Sequence, residues 1–133
     1  MGYYSSMEPL EFKTDYSAGE VKAKFQAFKD NRPNNSPWLD IYDFEEIRDC
    51  QELSVVMDGD DYYAKHYASE DLALFLSTVI KPGDYVVLTF IGDNGWPWRY
   101  LIRSMEVDKL EMTWTLSGGI PLDDFLKKEG LKK

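Results

Sequence analysis

The sequence predicts a single α+β domain over residues 1–133, with a mainly antiparallel sheet of about five strands, two main helices and a short C-terminal helix. Two segments carry apolar residues at helical spacing, and several shorter segments alternate apolar and polar residues as half-buried strands do. Short turn signals join the later strands, which favours antiparallel hairpins over the long crossovers of parallel sheets. The length is ordinary for one domain.

The two main helices have clear start signals. Ser17-Ala-Gly-Glu20 is a capping box, in which the serine side chain and the glutamate side chain each accept a backbone N–H at the helix start. The apolar stripe that follows predicts a helix over Ser17–Lys29, ended by Pro33. A second helix, Leu72–Ile80, begins at Ser69 with acids in its first turn.

The earlier strands are short. Leu10–Phe12 alternates with charged neighbours, and the β-rich segments Leu53–Met57 and Tyr62–Tyr67 lie on either side of Asp58–Asp61, which predicts a hairpin. Two interpretations of Trp38–Glu52 remain open. Either a short helix opens at Asp43 and buries Phe44 and Ile47, or the segment is irregular, charged backbone.

The last strands form a predicted three-stranded meander, made of Tyr85–Ile91, Trp98–Arg103 and Lys109–Leu116. Asn94-Gly95 favours a two-residue type I′ turn, since both central residues must take positive φ. This turn would set Ile91 opposite Trp98 and Thr89 opposite Tyr100.

The C-terminal helix is predicted from Pro121 at its first position, acids early and lysines late, with Gly130 as its stop.

Charge is concentrated in one segment. The chain has 15 Lys and Arg against 24 Asp and Glu, a net charge of −9. Between Asp40 and Asp61 the acids outnumber a single base, Arg48. Such a field raises encounter rates with a basic partner, although a solvated face that keeps the protein soluble has the same pattern. The expected partner-binding residues are Asp40, Asp43, Glu45, Glu46, Asp49, Asp58, Asp60 and Asp61.

The leading hypothesis is therefore a non-enzymatic interaction module in which the acidic residues of 40–61 dock a basic protein surface, as an inhibitor, immunity or adaptor-type protein. Asp43, Glu46 and Asp49 would share one face if this segment were helical, because steps of three residues keep side chains adjacent.

The alternative hypothesis is a small-ligand binding domain. In the aromatic hairpin, alternation sends Trp96, Trp98 and Tyr100 to one face, which Trp114 on the next strand would join. Exposed rings would stack on a sugar, a base or a peptide. The same rings would form core if a helix covered that face.

Catalytic and metal-binding patterns are weak. His66 is the single histidine and Cys50 the single cysteine, and neither has a sequence neighbour that would activate it. The sequence thus favours a non-enzymatic role without a cofactor. One Cys and one His cannot complete a zinc site, and the acids of Asp58–Asp61 lack the spacing of a calcium loop. We expect no metal site.

The same composition gives expectations about location and partners. The single cysteine cannot form an internal disulfide, and Met1–Phe12 lacks the pattern of a signal peptide, so we expect a cytoplasmic protein. The negative charge argues against direct binding to nucleic acid or to an anionic membrane.

Overall fold

The computed structural model describes residues 4–34, 36–48, 52–57, 62–93 and 95–110. Within these ranges the chain forms three helices and eight strands, and the strands form two antiparallel sheets. This architecture confirms the α+β class, although the sequence predicted one sheet and the structure has two. In chain order the elements are β1 (Ser5–Met7), β2 (Leu10–Lys13), α1 (Ala18–Asp30), α2 (Ser36–Leu39), β3 (Asp43–Arg48), β4 (Glu52–Val56), β5 (Tyr63–Ala64), α3 (Ser69–Val79), β6 (Tyr85–Gly92), β7 (Pro97–Arg103) and β8 (Glu106–Leu110).

The larger sheet has the strand order β5-β1-β6-β7-β8, so the predicted meander of the last three strands is confirmed. Its third strand, β8, begins three residues before the predicted Lys109, because Ser104 and Met105 alone connect it to β7. Met105 has a positive φ of 61°. Residues 111–116, Trp114 and the predicted C-terminal helix lie outside the described residues.

The predicted register between β6 and β7 is wrong by one residue. The structure pairs Phe90 with Trp98, whereas the two-residue turn would have set Ile91 there. The N–H of Gly92 donates to the carbonyl of Trp96 at 3.0 Å, so the loop that this hydrogen bond closes has three residues, 93–95.

Gly95 explains the longer connection. Its φ is +82°, the conformation that three-residue hairpin loops place last. A shift of one residue moves side chains to the other face of a sheet relative to their neighbours. Trp98 and Tyr100 therefore lie beside the buried Phe90 and Leu88.

The predicted hairpin of Leu53–Met57 with Tyr62–Tyr67 is also wrong. β4 is the central strand of the smaller sheet, whose order is β2-β4-β3, while β5 pairs with β1 in the larger sheet. Leu53 and Val55 are fully buried. Such a strand needs a hydrogen-bonded neighbour on both sides, and a hairpin with β5 alone would not provide them.

Residues 43–48 form a strand, so neither interpretation of this segment was correct. Phe44 is buried opposite Val55, and Ile47 is exposed, whereas a helix would have buried both. The Asp43 carboxylate accepts the N–H of Phe44 at 2.8 Å, and a bulge follows Glu46. Both features blunt this edge of the sheet against pairing with another chain.

The two predicted helices are confirmed as α1 and α3. The capping box of α1 is present, with the Ser17 hydroxyl 3.2 Å from the N–H of Glu20 and the Glu20 carboxylate 3.2 Å from the N–H of Ser17. α3 packs on the larger sheet and buries most of its residues.

Phe75 of α3 is the centre of the core. Its ring lies 4.8 Å from Phe25 and 5.4 Å from Phe28 of α1, and 5.6 Å from Phe44 of β3. The end of α3 is also joined to the chain after β2, because the Thr14 hydroxyl donates to the carbonyl of Val79 at 2.6 Å. One interior thus holds both helices and both sheets together.

Replacing Phe75 by Ala is expected to lower the free energy of unfolding by about 3–5 kcal/mol, because it empties a site that three other rings surround. Urea denaturation of the variant measures this loss. Leu74→Ala is the control, since Leu74 lies on the same helix and is exposed. Equal losses in the two variants would contradict this description of the core.

Candidate functional site

The structure divides the predicted acidic segment. Asp40 precedes β3, and three further acids, Asp43, Glu45 and Glu46, lie on β3. Asp49, Asp58, Asp60 and Asp61 lie outside the described residues. Because β3 is a strand, Asp43 and Glu45 share one face of the sheet, and the expected helical alignment of Asp43 with Glu46 is wrong.

The face that Asp43 and Glu45 share is the outer face of the three-stranded sheet. Across this face, Glu45 lies opposite Ser54 of β4, and Ser54 lies opposite Glu11 of β2. Glu11 and Glu45 are both exposed, and their backbones lie two strand spacings apart, about 10 Å. We call Glu11, Asp43 and Glu45 the acidic face.

Sequence reasoning missed Glu11. The alternation of Leu10, Glu11 and Phe12 does send Glu11 to a polar face. That signal does not reveal which strand lies beside β2, and β4 brings Glu11 next to a segment more than thirty residues later.

The acidic face is only partly neutralised by neighbouring bases. Lys13 lies opposite Glu52 in the next row of the sheet. Lys22 of α1 is 3.9 Å from Asp43, and both side chains are more than half exposed, so this ion pair adds little. No ion pair to Glu11 or Glu45 occurs among the described residues.

Asp40 is placed differently from the acidic face. Its carboxylate accepts a hydrogen bond from the Lys29 ammonium at 3.0 Å, across a shallow polar cleft of about 310 Å³ between α1 and residues 40–43. The Lys29 nitrogen also lies over the ring of Phe25. Asp40 is therefore engaged within the molecule.

His66 is buried, and both of its ring nitrogens have partners. Nε2 lies 2.8 Å from the carbonyl oxygen of Tyr62, and Nδ1 lies 2.5 Å from the hydroxyl of Tyr42. A carbonyl can only accept, so Nε2 carries the proton and Nδ1 accepts the hydroxyl proton of Tyr42. These contacts fix one neutral tautomer and leave no ring nitrogen to serve as a base.

The burial of this pair also changes its titration. Burial lowers the pKa of the His66 imidazole, and the Tyr62 carbonyl offsets part of that lowering. Burial raises the pKa of the Tyr42 hydroxyl, with a further contribution from Tyr100. Both groups are neutral near pH 7.

The rings of the aromatic hairpin do not form one exposed surface. The Tyr100 hydroxyl is buried, and it lies within hydrogen-bond distance, 3.0 Å, of the Ser69 hydroxyl. Trp98 is half-buried and stacks on Phe90 with ring centres 5.2 Å apart. Trp96 is 48% exposed. α3 covers the face that Trp98 and Tyr100 share, since Ser69 begins that helix.

Another group of aromatic side chains is exposed on the far face of the larger sheet. Tyr4 and Tyr63 stack with ring centres 5.3 Å apart, and Ile91 lies in the same row as Tyr63 across β1. The Tyr63 hydroxyl donates to Asp93 at 2.6 Å, which raises the pKa of Tyr63 to about 12. Beside them is an open groove of about 500 Å³, lined by Ser6, Met7, Glu8, Pro9, Tyr62 and Ile91.

The described part of the chain contains no metal-binding group of the kind that the sequence was searched for. Within it, no three His, Cys, Asp or Glu residues come together as a metal-binding group. None of the described helices has the length and apolar character needed to cross a membrane. Cys50 lies outside the described residues.

The stability of the protein is expected to depend on pH through His66. Its pKa is lower in the folded state than in the unfolded chain, where it is about 6.5, so the unfolded chain takes up the proton first. The contribution of His66 is complete above that value and is lost as the pH falls through the folded-state pKa. Urea midpoints at about pH 7.5 and about pH 5.5 measure the change.

The matched variant for this prediction is His66→Gln, which cannot take up a proton. Its midpoint should fall less between the two pH values than that of the native protein. An equal fall in both proteins would show that other groups cause the pH dependence.

Comparison of the chain with models of known protein families, with curated proteins and with solved structures gave no match.

Proposed function

We propose that this protein is a non-enzymatic interaction module whose acidic face docks a basic surface of a protein partner, as an inhibitor, immunity or adaptor-type protein. The observation that carries the proposal is the row Glu11–Ser54–Glu45, which presents two exposed carboxylates on a regular sheet. A sheet face holds its side chains at fixed spacing, so two basic side chains of a partner can each meet one carboxylate.

The edge of β3 favours docking on the face over addition of a strand. The Asp43 carboxylate already accepts a hydrogen bond from the N–H of Phe44, and the bulge after Glu46 interrupts the regular backbone hydrogen bonding of β3. Backbone pairing with a partner is therefore opposed, and side-chain charges provide the attraction.

A cytoplasmic location is part of the proposal, on the ground that the chain has one cysteine and a soluble composition. The negative charge further supports a basic protein as the partner rather than nucleic acid or a membrane. Asp49, Asp58, Asp60 and Asp61 complete the proposed partner-binding residues by sequence alone.

A variant with Glu11→Gln, Asp43→Asn and Glu45→Gln is expected to bind a fluorescent decalysine peptide about tenfold more weakly than the native protein, because the local field is removed. Stopped-flow fluorescence gives the association rate, which should carry most of the loss. Repeating the measurement at higher salt should weaken native binding steeply.

The matched control is a second triple variant, Glu8→Gln, Asp15→Asn and Glu70→Gln. These acids are exposed on other elements, and the variant loses the same number of charges. Native-like binding by the control supports the proposal. Equal weakening of both variants would show that decalysine responds to net charge alone and that the acidic face is a solvated surface.

Small-ligand binding is the second candidate function, and the groove beside Ile91 favours it. Its volume of about 500 Å³ lies within the usual range for ligand pockets, and Tyr63, which stacks on Tyr4, pairs with the groove residue Ser6. Of the hairpin residues Trp96, Trp98 and Tyr100, it is Trp96 that retains an exposed ring.

NMR titration with a disaccharide, a nucleoside and a tripeptide tests the second candidate. Saturable shifts of the amides of Ser6 and Ile91 would support it. The lack of saturable shifts with all three probes would contradict it.

A further inference from the structure

His66 is hydrogen-bonded both to Tyr42, which directly precedes β3, and to Tyr62. Its Nδ1 holds the hydroxyl of Tyr42, which lies between Asp40 and Asp43 in the sequence. Its Nε2 holds the carbonyl of Tyr62, the residue directly after Asp58–Asp61. One imidazole ring thus joins two segments that the sequence separates.

The ring is also enclosed by neighbours from several elements. Tyr42 stacks on it with ring centres 5.6 Å apart, and Phe90 of β6 lies 4.9 Å away. The His66 carbonyl accepts the N–H of Ser69 at the start of α3. A change at this ring is therefore transmitted to residues 42 and 62 rather than absorbed by solvent.

A second proton can bind only at Nδ1, since Nε2 already carries one. The Nδ1–H would then donate to the Tyr42 oxygen, and the hydroxyl proton of Tyr42 would need a different acceptor. An imidazolium at this position would also be buried, and burial of a charge without an opposite charge is strongly unfavourable.

Among the described residues, the polar groups that face the ring do not supply that charge. They are the Tyr42 hydroxyl, the Tyr62 carbonyl and, beyond Tyr42, the Tyr100 hydroxyl paired with Ser69. Within the described residues, neither a carboxylate nor a cation contributes to the titration of His66. Protonation is therefore relieved most readily when the ring moves out and the two segments separate.

We propose that His66 is a proton-sensitive tie that holds Tyr42, the residue directly before β3, to residues 62–66 when neutral and releases it when protonated, so that the protein loses its basic partner in mildly acidic surroundings. This inference rests on the proposed function and adds its regulation. The switch is a local change of charge that biases a two-state element.

Binding of fluorescent decalysine is measured at about pH 7.5 and about pH 5.5 at constant ionic strength. These two pH values lie on either side of the ordinary pKa of an imidazole, about 6.5. We expect native binding to weaken by about fivefold or more, the lower end of usual coupling between sites. The His66→Gln variant, which has no proton to gain, should change by less than about twofold.

A second measurement follows the tie without any partner. We expect the amides of residues 42–44 and 62–66 to exchange hydrogen faster at the lower pH in the native protein but not in the His66→Gln variant. The rates are corrected for the intrinsic effect of pH. Tyr42→Phe provides a further variant should His66→Gln fold poorly, because it keeps the ring and removes the hydroxyl donor. We expect its exchange and its binding to be less sensitive to pH.

The outcomes separate the two proposals. Equal pH dependence in the native protein and the variants overturns the tie and leaves the docking proposal standing. Faster exchange at low pH with unchanged binding also overturns it, because release would then not reach the acidic face. Failure of decalysine to bind at about pH 7.5, with the exchange response present, overturns the proposed function while the tie itself is supported.

Discussion

The contact of Phe75 with three other phenylalanine rings is the interaction on which the rest of this structure depends. Phe25 and Phe28 come from α1, Phe44 from β3 and Phe75 from α3. Aromatic rings bury large areas, and here they join a helix that packs on the larger sheet to a strand of the smaller sheet. Buried residues of both sheets belong to this one interior.

The shared interior also fixes where the charges lie. With Phe44 turned inward, the alternation of a strand forces its neighbours Asp43 and Glu45 outward. The central position of β4 then brings β2, with Glu11, onto the same outer face. The acidic face is thus a consequence of core packing, although none of its residues is part of the core.

Polar side chains inside this core are hydrogen-bonded to one another. His66 and Tyr42 satisfy each other, and the Tyr100 hydroxyl is satisfied by Ser69, because a buried polar group without a partner would destabilise the fold. The Tyr100 side chain is accordingly buried beside Ser69. These hydrogen bonds also place the single histidine in contact with both Tyr42 and Tyr62.

Sequence alone determined the local features of this protein. The capping box at Ser17, the apolar stripe of α3 and the meander from Tyr85 onward depend on contacts between near neighbours, and the structure confirms them. Sequence also located Asp43 and Glu45 among the acids. Tertiary structure decided that residues 43–48 are a strand and that β4 pairs with β2 and β3 instead of with β5. It also decided that Glu11 lies on the acidic face. These outcomes depend on burying Phe44, Leu53 and Val55 against distant residues, and that free energy is absent from any local pattern.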